Sequence, residues 1–145
     1  MTLVGLQQFI PQSSDFPSDP RGLNEIDVIT GGAGADNFVL GEAYNQKYSD
    51  FSSIFYDDRN PKTAGKKDYA VINDFNSKED NITLLGKAAD YLLKSTSGSL
   101  PSGTGIYVNK PGNEPDELIG IVKGASPSSL NLSASYFDYV NSQQL

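Results

Sequence analysis

Short runs in which apolar and polar residues alternate fill the second half of the chain. They predict strands over residues 69–73, 81–85, 91–93, 105–109, 117–123 and 136–140, because successive side chains of a strand point to opposite faces. Turn-forming clusters separate the runs: Asn76-Ser77-Lys78, Ser97-Gly98-Ser99, Lys110-Pro111-Gly112-Asn113 and Ala125-Ser126-Pro127. Residues 87–94 also fit a short helix, since so few positions do not separate the two periods. The first half reads differently. Pro11, Pro17 and Pro20 make residues 1–21 an irregular leader, although Leu3, Val4, Leu6, Phe9 and Ile10 give it an apolar side suited to an edge strand. Residues 40–67 are polar and dotted with Tyr44, Tyr48, Phe51, Phe55 and Tyr56, and Asp57-Asp58-Arg59-Asn60-Pro61 closes them as a solvated turn. Residues 141–145 read as a frayed tail. The expectation is an all-β protein with at most one short helix.

One segment breaks the alternation. Gly31-Gly32-Ala33-Gly34-Ala35-Asp36-Asn37-Phe38-Val39 fills every defined position of G-G-x-G-x-D-x-U-x, a calcium-binding nonapeptide. Glycines let a chain turn through positive φ and bring carbonyls close together. Those carbonyls and the Asp carboxylate form an oxygen cage of the kind calcium takes, at about 2.3–2.6 Å. The large apolar residue, here Phe38, then points inward from a short strand. Residues 22–30 keep Gly22, Asp27 and Ile29 at the first, sixth and eighth positions of the same pattern. Residues 40–48 keep Gly41 and Asn45, but Lys47 replaces the apolar residue, so the repeat is expected to end there. A full coil of two nonapeptides spans about eighteen residues. Asp27 and Asn45 have that spacing, whereas Asp36 would meet Ile54 and lacks a counterpart.

Composition supports an oxygen-ligand site and removes most other chemistry. The 145 residues, enough for one domain, contain no His and no Cys, which excludes imidazole bases, thiolate metal sites, cysteine nucleophiles and disulfides. Eighteen acidic against eleven basic residues give a net charge of −7. That balance, with Lys62, Lys66 and Lys67 as the single basic cluster, argues against nucleic acid. No apolar run approaches the ~18 residues of a membrane span. Hard cations such as calcium suit what remains. The nucleotide-loop pattern G-x-G-x-x-G fails because Asn37 stands where its third Gly belongs, and an EF-hand from Asp74 fails at Glu79 and Leu85. Glu114, Asp116 and Glu117 offer a glycosidase-like acid and nucleophile, and Tyr44, Tyr48, Phe51 and Tyr56 an aromatic strip for sugars. The non-catalytic, calcium-binding reading is preferred to both.

A second clue lies downstream. Ile72-Asn73-Asp74-Phe75, followed by Asp80-Asn81-Ile82-Thr83-Leu84, resembles the I-x-D-F…D-x-I-x-L segment that closes the β-rolls of RTX, or hemolysin-type, calcium-binding proteins. Residues 100–107, 117–122 and 137–140 are similar to C-terminal regions of cyanobacterial members. The resemblance implies a short parallel β-roll of about one coil packed on a mostly antiparallel, β-sandwich-like cap. On that division residues 22–48 are the degenerate roll, 49–67 a connecting loop and 68–140 the cap. It also implies calcium-promoted folding outside the cell and type I secretion without a cleaved signal peptide. Carried over by position, the metal-site residues are Asp27, Gly31, Gly32, Gly34, Asp36, Asn45, Asp74 and Asp80. The expected role is a calcium-binding cap or secretion module. The competing expectation is an adhesion or self-assembly module that pairs with protein or glycan through an open β-roll edge, its Gly-rich loop only structural.

Overall fold

The computed structural model describes residues 7–9, 26–42, 53–57, 68–110, 112 and 115–140. Among them are eleven strands and two single 3-10 turns, at Ala88–Asp90 and Pro127–Ser129. The strands are β1 (Gln7–Phe9), β2 (Ile26–Ile29), β3 (Asp36–Val39), β4 (Gly41–Glu42), β5 (Ser53–Ile54) and β6 (Tyr69–Ile72). Then follow β7 (Asn81–Leu85), β8 (Tyr91–Ser95), β9 (Gly103–Val108), β10 (Glu117–Lys123) and β11 (Phe137–Val140). The protein is all-β. β1 supplies the edge strand expected of the leader.

Two sheets share the work. One has the order β1-β3-β7-β11 with every pairing parallel. The other runs β2-β6-β10-β9-β8, parallel from β2 to β10 and antiparallel from β10 to β8. Three times the chain leaves the second sheet and enters the first: β2 to β3, β6 to β7 and β10 to β11. Those three layers stack as a roll. β4 and β5, which follow β3 in the chain, form a separate antiparallel pair.

The sequence-based division at residue 68 is therefore redrawn. β6, β7, β10 and β11 continue the parallel ladders, and antiparallel pairing within 68–140 is confined to β8, β9 and β10. The reason is burial on both faces. All four β6 residues are buried, as are the first six of β10, and strands covered on both faces suit the interior of a parallel sheet. Ala70, Ile72, Ile119 and Val122 join Phe38, Ile82, Leu84 and Phe137 in the core between the sheets. Tyr69, Val71, Leu118 and Ile121 form a second cluster on the outer side of their sheet. The register of β10 on β9 shifts between Leu118 and Gly120, a bulge that lets Leu118 and Ile121 share a face despite their odd spacing.

Coil length is the second correction. The nonapeptide does describe the step from β2 to β3, since Ile29 packs against the core and Phe38, nine residues on, lies within it. The return does not follow at eighteen residues. Residues 40–68 intervene, so that Phe38 pairs with Ile82 and Asp27 with Ala70. In place of the helix alternative over 87–94 stands one 3-10 turn leading directly into β8.

Candidate cation site

The Gly-rich loop joins the end of β2 to the start of β3, and the loop of residues 73–80 joins β6 to β7 directly beside it. Parallel pairing of both strands fixes the two loops in register. At the near end Asn73 donates its N–H to the Ile29 carbonyl at 2.9 Å and its Nδ2 to Thr30 Oγ1 at 3.1 Å. Asp74 then reaches across: Gly31 donates its N–H to Oδ1 at 2.8 Å and Gly32 to Oδ2 at 2.7 Å. At the far end the Asp36 N–H reaches Asp80 Oδ1 at 3.0 Å, while Asp80 Oδ2 accepts the Asn76 N–H at 2.8 Å.

The glycines are required by geometry. Gly32 and Gly34 have φ of 86° and 89°, where an L side chain is strained. Gly31 is held by space, because a Cβ there would lie 2.4 Å from Asp36 Oδ2. Asp36 is thus folded back under the loop. It is wholly buried, and neither carboxylate oxygen has a hydrogen-bond partner among the described residues. Burial pushes its carboxyl above the usual range, and the charges of Asp80, Asp74 and Glu79 push in the same direction. Phe75 lies edge-on to Phe38 at 6.5 Å and to Tyr136 at 5.6 Å, which ties the second loop to the core.

A buried carboxylate with no partner is costly unless a proton or a cation meets it. The donor set consists of oxygens only, and the orphaned Asp36 carboxylate fits a hard cation. Among the described residues no three acidic side chains converge as a chelating group, so a cation here would draw on loop carbonyls, as the nonapeptide pattern supposes.

The structure brings Gly31, Gly32, Gly34, Asp36, Asp74 and Asp80 together. Asp36 has a counterpart after all: it is Asp80, 44 residues on, because the inserted residues displace the partner layer. Asp27 belongs elsewhere, near the start of β2, where Oδ2 accepts the Tyr56 hydroxyl at 2.7 Å. Asn45 lies outside the described residues, as do Tyr44, Tyr48, Phe51 and Glu114. Tyr56 is wholly buried and leaves the aromatic strip for the core. Asp57 is not a solvated turn residue. It is buried, and Lys110 Nζ donates to both its oxygens at 3.1 and 2.8 Å. Glu117 is buried, and its neighbour Asp116 accepts Lys94 Nζ at 2.9 Å. Glu79 was missed, since its influence on Asp36 comes through the fold of the 76–80 turn.

No helix among the described residues is long and apolar enough to cross a membrane. No family model matches the chain, and no curated protein matches it either.

Proposed function

We propose that this protein is a non-catalytic, RTX-type calcium-binding module whose stability calcium promotes, acting as a cap or secretion domain of an exported protein. The observation that carries the reading is the buried, unpartnered Asp36 carboxylate beneath a Gly-Gly-x-Gly loop, between two layers of a parallel roll. Gly31, Gly32, Gly34 and Asp36 would hold the ion, with Asp80 beside them. Once bound, calcium would supply positive charge to a buried anion that the acidic residues of the second loop otherwise oppose. Asp36 supplies the charge, the glycines allow the carbonyls to approach, and Asp80 locks β3 to the second loop. Extracellular calcium modules work at about 10⁻⁴–10⁻³ M, which suits a site built largely of carbonyls and a location outside the cell. Binding to the folded form alone adds stability by mass action. Thermal melts in excess calcium, in chelator and in magnesium test this. A calcium-specific rise in the midpoint is expected, and identical midpoints would refute it.

A second reading rests on β2. It edges its sheet, and Ile26 and Val28 are 52% and 65% exposed along it. An adhesion module would pair a partner strand there. Loss of partner binding on Ile26→Lys, with the calcium response intact, would favour it.

A further inference from the structure

We propose that Asp74 is a positioning residue of the cation site and not one of its ligands; the inference rests on the calcium reading above. Its two oxygens sit one on each of two consecutive backbone N–H groups, those of Gly31 and Gly32. Successive N–H groups of this kind make a small anion-binding concavity, and here the chain provides its own anion from the neighbouring layer. The consequence for the loop follows from peptide geometry. There are no cis peptide bonds among the described residues, and a planar trans peptide points its N–H and C=O in opposite directions. Turning the Gly31 and Gly32 N–H groups toward Asp74 therefore turns the Thr30 and Gly31 carbonyls away from it. A cation held by the Gly31 carbonyl therefore sits on the opposite edge of that peptide unit from Asp74. Glycine is the residue with most backbone freedom to lose. An anchored Gly31-Gly32 pair has already lost that freedom before an ion arrives, so the loop is set in advance. Asp80 anchors the other end of the same loop through the Asp36 N–H.

The test uses the full chain with terbium as a luminescent, oxygen-seeking probe in place of calcium. Asp74→Asn keeps the size of the side chain but removes its charge and one acceptor. Loss of an orienting partner typically weakens metal affinity by about 10–100-fold, and that loss is expected here. The number of waters on bound terbium, read from luminescence lifetimes in H2O and D2O, should stay as in the wild type. A rise by one or more would mean that a ligand had been removed and would overturn the proposal, as would unchanged affinity. A second measurement needs no variant. In the wild-type protein held in chelator, the Gly31 and Gly32 amides should be protected from hydrogen exchange, and rapid exchange at both would overturn the preset loop. Wild-type protein that binds no terbium and no calcium would overturn the calcium reading itself. Binding that Asp74→Asn leaves untouched would overturn this inference alone.

Discussion

Asp36 and Asp80 are joined and opposed at once. The Asp36 N–H donates to the Asp80 carboxylate at 3.0 Å, while that carboxylate helps to push up the Asp36 carboxyl. The backbone bond ties two layers of the roll, and the charge makes the tie costly without a cation. Asp36→Asn removes the charge and keeps the shape. In chelator the variant should be more stable than wild type, because a neutral amide is not opposed by burial of charge or by Asp80, Asp74 and Glu79. Its calcium response should vanish. Melts of both proteins with calcium and with chelator check this, and a destabilised, still calcium-responsive variant would count against it.

The pH dependence has two opposed parts. Asp36 is raised in the folded protein by burial first, then by its acidic neighbours. Its contribution is fully present below its unfolded value of 3.8 and is lost as pH rises through the folded value. Asp116 is lowered, chiefly by the Lys94 hydrogen bond. Its contribution is present above 3.8 and is lost as pH falls through its lower folded value. Metal-free protein should therefore lose stability on the alkaline side of 3.8 in a way that Asp36→Asn abolishes. Asp116→Asn should instead blunt the loss at still lower pH. Chelator melts across an acid-to-neutral series separate the two.

Gly31 tests the seat sterically. Gly31→Ala would bring a Cβ to 2.4 Å from Asp36 Oδ2 and 2.8 Å from its Cγ. Either the carboxylate moves or the loop does. Overpacking of this kind costs about 1–3 kcal/mol, and the calcium-induced rise in midpoint should shrink with it. Gly98→Ala is a contrasting control, since its φ of 65° strains the turn while nothing lies within 4 Å of the new methyl. That variant should lose stability and keep the full calcium response.

Strand positions were legible because their alternation is local, and the Gly31–Asp36 loop because its glycines and carboxylate sit at fixed offsets. The partner of that loop was not. Asp80 faces Asp36 only because residues 40–68 separate β3 from β6 along the chain, and no spacing rule counts an insertion. Parallel pairing of β6 and β10 was missed for a related reason. Tyr69-Ala70-Val71-Ile72 is apolar throughout, which suits a strand covered on both faces but names neither its neighbours nor their direction. Asp57 read as a surface turn residue because Lys110, 53 residues on, is what makes its burial tolerable.

That pair yields the last prediction. Asp57 follows β5 and precedes β6, while the Lys110 N–H bonds Asp116 Oδ1 at the start of β10. The Asp57–Lys110 ion pair thus lies at the opposite end of the strands from the Gly-rich loop. The two side chains are 9% and 18% exposed. Lys110→Met keeps the aliphatic stem and removes the ammonium that donates to both oxygens of the buried Asp57 carboxylate. A charged hydrogen bond lost in this way costs about 2 kcal/mol. At roughly 2–4 °C per kcal/mol for a chain near this size, the midpoint should fall by about 4–8 °C. Lys94→Met removes a pair whose lysine is 50% exposed, and such surface pairs contribute about 0–1 kcal/mol. The two variants should differ clearly in a melt. Because Lys110 and the cation site share no hydrogen-bonding partner among the described residues, the two effects should add. Lys110→Met should therefore lower the midpoint equally in calcium and in chelator. A fall seen in chelator alone would mean that the two ends of the roll are coupled.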